Sequence, residues 1–459
     1  MNSAMFNQTL VQPAGLAVVI ALGFAMILVP RRHALLPVIA LVSFIPVAQR
    51  IVIAGFDFDF LRLMVLFGWA RILLRREYVG FRFKTIDWWQ FAVVGIGTFV
   101  FIAQRGDSAS VVFRLGYAFD AIGMYFLFRM LLRGWADVDR VVRAFIVLSI
   151  PVAVVFFIEW STRRNMFSIF GGVPAVTAVR DGRLRCQGAF GHPIIAGCFW
   201  ATALPLFAAR WVTAPRERWL TGAGMAAAVF IVFTTSSSTP AMAVIFTALG
   251  LAMFAVRGWM RVFRWGALAT LVLLQLLMQG PVWSLIAKIN IISGSTGWHR
   301  YNLIDQAINR IGEWWLLGTQ STADWGAYGQ LRDVTNQYVF EAVTGGIWTL
   351  LAFAGLLFVA FRGVSAALRG NRGKPKAEWV AWCVGVTLFV HVMNFIALTY
   401  FAQMVTSWLL TLAIVGAITP VARRSARVRG PVVTQARIGG RALTPETGDA
   451  RPRPAGATG

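Results

Sequence analysis

Long apolar stretches follow one another almost from end to end of the chain, separated by short segments rich in Arg, Gly and Pro. About 20 apolar residues suffice to cross a hydrocarbon core of about 30 Å as a helix. On that criterion the pattern predicts thirteen helical spans, at residues 14–30, 34–49, 57–75, 88–104, 110–132, 141–160, 193–210, 218–235, 239–256, 264–287, 338–361, 378–396 and 400–420. These stretches lack the regular polar face that a soluble helix presents to water. The first has neither a basic leader nor a small-residue cleavage site, so it reads as a retained span and not as a signal peptide. The chain is predicted to be an all-α polytopic membrane protein with about 12–13 transmembrane helices.

Two connections are too long for simple turns, residues 161–192 and 288–337. Long loops on a compact bundle usually carry function. They divide the chain into N-terminal helices at 1–160 and a core at 161–422, followed by a Pro/Gly-rich basic tail at 423–459 that reads as disordered. Within the second loop, "YNLIDQAINRIGEWW" sets Leu303, Ile304, Ala307, Ile308, Ile311 and Trp315 at helical spacing, opposite Asp305, Gln306, Asn309 and Arg310. This predicts an amphipathic helix that either caps the bundle or guides a substrate to it.

Composition sharpens the class. Hydrophobic residues make up 58% of the 459 and charged residues only 14%, far from a soluble profile. A net charge of +24 invites a nucleic-acid partner, but its distribution argues against one. With the N-terminus outside, most of the 43 Lys and Arg fall in alternate loops and the tail, which is the positive-inside bias of an inserted protein. Both long loops then lie on the non-cytoplasmic side. Three scattered cysteines and four histidines without HxxxH spacing give no disulfide framework and no metal site.

Candidate chemistry sits on those two loops. Arg180, Arg183 and Arg185 precede Gly188 and Gly191, just before the chain re-enters an apolar run at His192 and Pro193. Guanidinium groups bind phosphate oxygens bidentately and keep their charge, so the cluster suits a diphosphate at headgroup level; it would equally anchor the loop on lipid phosphates. His299 and Arg300 open the amphipathic helix, whose N-terminus also favours anions. Ser237 and Ser238, in "TTSSSTPAM", offer hydroxyls to a sugar or serve an ordinary turn and N-cap. Asp333, at the close of the second loop, is placed either to cap the next helix or to act as a general base. Among in-span charges, Asp57, Asp59 and Arg62 read as a local cluster, whereas Arg114 and Asp120 call for partners.

The runs "RLRCQGAFGHPIIAGCFWATALPL", "TTSSSTPAMAVI", "HRYNLIDQAINRIGEWWLLGTQS" and "DVTNQYVFEAVTGGIWTLLAF" together resemble the O-antigen ligase and polysaccharide polymerase superfamily over about Arg185 to Phe361. The resemblance implies a GT-C-like bundle with a large periplasmic loop in the bacterial inner membrane. Such a protein moves a glycan from an undecaprenyl-diphosphate carrier to an acceptor hydroxyl, with no metal and no other cofactor. Arg185 and Arg300 match the family's diphosphate-binding arginines, with Arg180, Arg183, His299, Ser237, Ser238, Thr335 and Tyr338 lining the substrate site. Asn336 matches the family's Asn, but Thr335 stands where the family has His, and Ser237–Ser238–Thr239 where it has Ser–Arg–Gly. Asp333, then His192, become the candidates for the base.

These departures favour a polymerase of exopolysaccharide repeat units over a ligase acting on a lipid A core. The implied partners are lipid-linked donor and acceptor, membrane lipids, a flippase and chain-length or export proteins. A lipid-linked oligosaccharide transporter is the alternative of another class; it would rely on Asp120, Arg114 and Arg62 in place of the loop arginines.

Overall fold

A computed structural model describes residues 9–420 apart from 54–55, 289–296, 327–328 and 330. The basic tail read as disordered lies outside the described residues, as does part of the second long loop. The chain opens with α1 (Pro13–Leu28) and α2 (Leu36–Phe44), then an antiparallel hairpin of β1 (Arg50–Ile53) and β2 (Phe56–Asp59) that pairs Arg50 with Asp59. Next come α3 (Phe60–Leu74), α4 (Thr85–Arg105), α5 (Ser108–Leu131) and α6 (Trp135–Thr162). A second hairpin, β3 (Ala178–Arg180) and β4 (Arg183–Arg185), precedes α7 (Pro193–Thr213), α8 (Arg218–Thr234), α9 (Ser238–Ala252) and α10 (Met260–Leu277). The short α11 (Leu285–Lys288), α12 (Gly297–Asn309) and α13 (Ile311–Trp314) fold the second loop, and α14 (Gln337–Gly370), α15 (Pro375–Asn394) and α16 (Gln403–Ile418) complete the chain.

Seven helical stretches are long and apolar enough to cross a membrane, and α1 and α16 are shorter apolar helices. The protein is therefore an all-α, multi-pass membrane protein. The apolar run at 34–49 is not a full span: α2 holds nine residues, roughly 14 Å at 1.5 Å per residue, about half of a hydrocarbon core. The runs at 239–256 and 264–287 join through a 3₁₀ segment at Met253–Trp259, in which Val256 leaves helical geometry. By Arg300 the chain is back beside Thr239 at the start of α9. α10 contributes no buried residue.

α7 lies at the centre, packed by α8, α9 and α15, with Trp200 fully enclosed. α14 packs along α4, α6 along α8, and α5 against α3, α4 and α16, so early and late helices share one core. One end of the bundle is tied by buried ion pairs. Arg129 donates to both carboxylate oxygens of Asp87 at 2.7 and 3.0 Å, Tyr125 donates to the same carboxylate, and Arg71 pairs with Glu77 at 2.7 Å. Lys84 there donates to Gly416 and Thr419 carbonyls, which the end of α16 leaves without intrahelical partners.

The in-span charges pair locally, as the sequence reading has it, and across helices as well: the Arg62 guanidinium also donates to Asp57 O. Asp59 caps α3 by accepting from the Arg62 amide, while the Arg62 guanidinium forms a two-point ion pair with Asp120 on α5 at 2.8 and 2.6 Å. The local 57/59/62 cluster is thus present and is extended by a cross-helix bridge, which Asp120 supplies.

Candidate functional site

The opposite end of the bundle gathers the loop arginines. At its base, the carboxylate of Glu159, three residues from the end of α6, is fully buried and accepts from the amides of Gln187 and Gly188 at 3.0 and 2.9 Å and from the Thr177 hydroxyl at 3.1 Å. Asn165 and Gln403 donate to the carbonyls of Gly188 and Ala189. Gly188 has φ +56, and a Cβ there would stand 2.3 Å from the Phe156 ring, so only glycine allows this turn to press on α6. The held turn starts at Gln187, two residues after Arg185, and between them the Cys186 amide donates to Thr234 O at 3.0 Å, fastening β4 to the end of α8.

Beside that bond, the Ser-rich turn between α8 and α9 is a tight corner with Ser236 at φ +44. Arg185 Nη2 donates to Ser237 Oγ at 2.9 Å, and Arg300 Nη2, arriving from α12, donates to Thr239 Oγ1 at 2.8 Å. Two arginines from separate loops thus reach hydroxyls two residues apart, at the N-terminus of α9. Among the described residues neither guanidinium has a carboxylate partner, and each Nε is buried without a hydrogen bond. Burial pushes the pKa of both below the usual arginine value; Arg180 adds to this at Arg185 and Asp181 opposes it. The corner is electropositive and bears hydroxyls, with donor capacity in reserve.

The other predicted residues divide. Arg180 and Arg183 face each other across the exposed hairpin and make no bond to the Ser-rich turn; Arg180 lies 3.8 Å from Asp181. Ser238, like Ser237, is buried in the corner. His299 is half-buried beside Arg300 along α12. The predicted apolar stripe of that segment is rotated and broken: Arg300, Leu303 and Ala307 form the buried face, Ile308 and Ile311 are exposed, and the helix is interrupted at Arg310. Sequence pattern alone assigns Arg300 to the start of the helix and to neither face; the structure puts it on the buried one.

Asn336, and not Asp333, caps α14: its Oδ1 accepts from the Val339 amide at 3.1 Å while Nδ2 donates to Ile396 O at 3.0 Å. With both ends of its carboxamide engaged, Asn336 is a positioning residue in this arrangement. Tyr338 donates to Val392 O at 3.0 Å, which likewise ties α14 to α15. Thr335, one residue before the cap, has a buried hydroxyl without a partner among the described residues. Asp333 is exposed and lies within electrostatic range of His192.

His192 caps α7, its Nδ1 accepting from the Ile194 amide at 3.2 Å. That bond fixes the neutral tautomer with its proton on Nε2, so the free nitrogen donates and does not accept. This changes the role read from sequence, from base to hydrogen-bond donor. Burial lowers its pKa below 6.5, Arg185 lowers it further, and Asp333 opposes them. The contribution of this cap to stability is accordingly full above about pH 6.5 and is lost as pH falls through the lower folded value. A thermal-unfolding series from pH 8 to 5 is expected to show a decline below pH 6.5 that His192→Asn, which retains a capping oxygen, reduces.

Glu159 and Gln403 escaped the sequence reading. Each is a lone polar residue at the end of an apolar run, and that exception was the available signal. Among the described residues no three His, Cys, Asp or Glu side chains gather as a metal-ligand set. No protein-family model matches the chain, and a search of curated proteins finds no match.

Proposed function

We propose that this protein joins undecaprenyl-diphosphate-linked oligosaccharide repeat units into an exopolysaccharide, working at the periplasmic face of the bacterial inner membrane. The observation that carries the reading is the meeting of Arg185 and Arg300 on one hydroxyl-lined corner without an acidic partner. A buried guanidinium without a counter-ion favours an anion, and a diphosphate supplies enough oxygens for two forks. The first turn of α9 adds positive potential.

In this mechanism the two arginines hold the donor diphosphate and stabilise the charge that grows on it as the anomeric bond breaks. His192, through Nε2–H, adds a donor toward the same oxygens. Asp333, exposed and within electrostatic range of His192, takes the proton of the acceptor hydroxyl. Ser237 and Thr239 hold the guanidiniums in place before substrate arrives, which limits their reorganisation during the reaction. The pairing of Arg62 with Asp120 gives these two in-span charges a structural role, in support of the loop-centred reading over a transporter.

The test is the acceptor. Purified protein in vesicles is given lipid-linked repeat units alone, or with a lipid A core oligosaccharide. The polymerase reading expects a ladder of lipid-linked polymer in both mixtures and no label on the core. Label on the core without a ladder identifies a ligase, and recovery of unchanged lipid in the opposite leaflet identifies a transporter.

A further inference from the structure

Arg114, on α5, differs from the other buried arginines. It is 4% exposed, and among the described residues its guanidinium has neither an ion pair nor a hydrogen bond, its Nε being enclosed without a partner. The rings of Phe101 and Tyr117 lie 5.2 and 4.5 Å from its Cζ. Rings offset part of the charge but accept none of the five N–H donors in the guanidinium plane. An enclosed cation within a membrane span is costly unless something meets it.

The surroundings of Arg114 are built for close approach. Its Nη2 sits over Gly97 of α4, where a Cβ would stand 2.7 Å away; the same point is 3.6 Å from Thr349 Oγ1 on α14. Thr349 lies in the first turn after α14 breaks at Gly345 and Gly346. The break is enforced: Gly346 has φ +65, a Cβ there would stand 2.3 Å from Leu316 O, and the Ile347 amide donates to Trp315 O. Helix geometry restarts beside Arg114, so the positive ends of its peptide dipoles join the guanidinium. Glu341, one turn before the break, is within electrostatic range but forms no ion pair with Arg114; its Oε1 accepts from Gln337 Nε2 at 2.8 Å.

We propose that Arg114 and the restarted first turn of α14 form a second anion site, which takes a phosphate group borne on a lipid. The unpaired guanidinium carries this site by itself; only the further assignment of its ligand as the acceptor's lipid diphosphate rests on the polymerase reading. Two lipid-linked substrates then have two separate holds, one at Arg185 and Arg300 and one at Arg114.

The test is calorimetric titration of farnesyl diphosphate into the full-length protein in phosphatidylcholine nanodiscs. Wild type is expected to bind two equivalents. Arg300→Gln removes one and Arg114→Gln weakens the other by about tenfold or more. Arg114→Lys, which keeps the charge without the planar fork, retains the second equivalent at intermediate affinity, and monodisperse elution of each variant certifies its fold. If Arg114→Gln and Arg114→Lys both bind as wild type does, the site is refuted. If phosphatidylglycerol nanodiscs abolish only the Arg114-dependent equivalent, the phosphate site stands, but bulk lipid fills it and the acceptor assignment falls. A second equivalent that survives in phosphatidylglycerol supports the acceptor assignment. Absence of polymer from a protein that binds both equivalents would reject the polymerase reading and leave the second site intact.

Discussion

Replacing Arg300 by Ala is expected to shorten polymer to single repeat units, with turnover reduced by about a hundredfold or more, while the protein still inserts and elutes as a monodisperse species. Arg300 is 9% exposed, and its guanidinium touches Thr239 and has, among the described residues, no carboxylate that its loss would leave unpaired. The substitution therefore removes positive charge from a buried corner without stranding an acid, and stability should suffer little beyond lost packing. Arg300→Lys keeps the charge but not the fork, and an intermediate rate, reduced roughly tenfold, is expected. Gel analysis of polymer length, with steady-state rates on purified lipid-linked donor, checks both. Full-length polymer at the wild-type rate from the Ala variant would refute the role given to Arg300.

Glu159→Ala should be the most damaging substitution for the architecture of the site. It leaves two backbone N–H groups and the Thr177 hydroxyl without their acceptor in a fully buried place. At about 1–3 kcal/mol for each unsatisfied buried group, partly relieved by entering water, a loss of about 3–5 kcal/mol follows. Glu159→Gln keeps one accepting oxygen and should recover about half of that. Arg185 sits two residues before the turn that Glu159 holds, so diphosphate affinity should fall in step with melting temperature in these two variants. In Arg300→Ala, affinity should fall with melting temperature nearly unchanged. A Glu159→Ala protein that melts as wild type does would show that the turn is held by Asn165 and Gln403 alone.

Hydropathy made the membrane class legible because insertion is read locally: about twenty apolar residues cross a bilayer whatever they later pack against. The two long connections and their arginines were equally visible, since polar residues in an apolar chain are exceptions. Length was less secure. The run at 34–49 reads as a span, yet α2 ends at Phe44 and a hairpin begins at Arg50, where residue order alone did not announce a change of geometry. Helical periodicity in the second loop was also visible, but its buried face was not. Three apolar positions of the predicted stripe are exposed, and Arg300 takes a place on the buried side because Thr239 is there to receive it.

What the sequence determined by itself is the medium the protein lives in, its helical character and a short set of charged residues too costly to be accidental. What the tertiary structure decided is which of them meet. The hydroxyls that receive Arg185 and Arg300 lie 52 and 61 residues away, and Asp120 lies 58 residues from Arg62. Partners at that separation are chosen by helix packing, through a glycine that lets a turn press on α6 and a carboxylate that pins it there. No local pattern encodes them, because the free energy that selects each pair is gained only when the whole bundle closes.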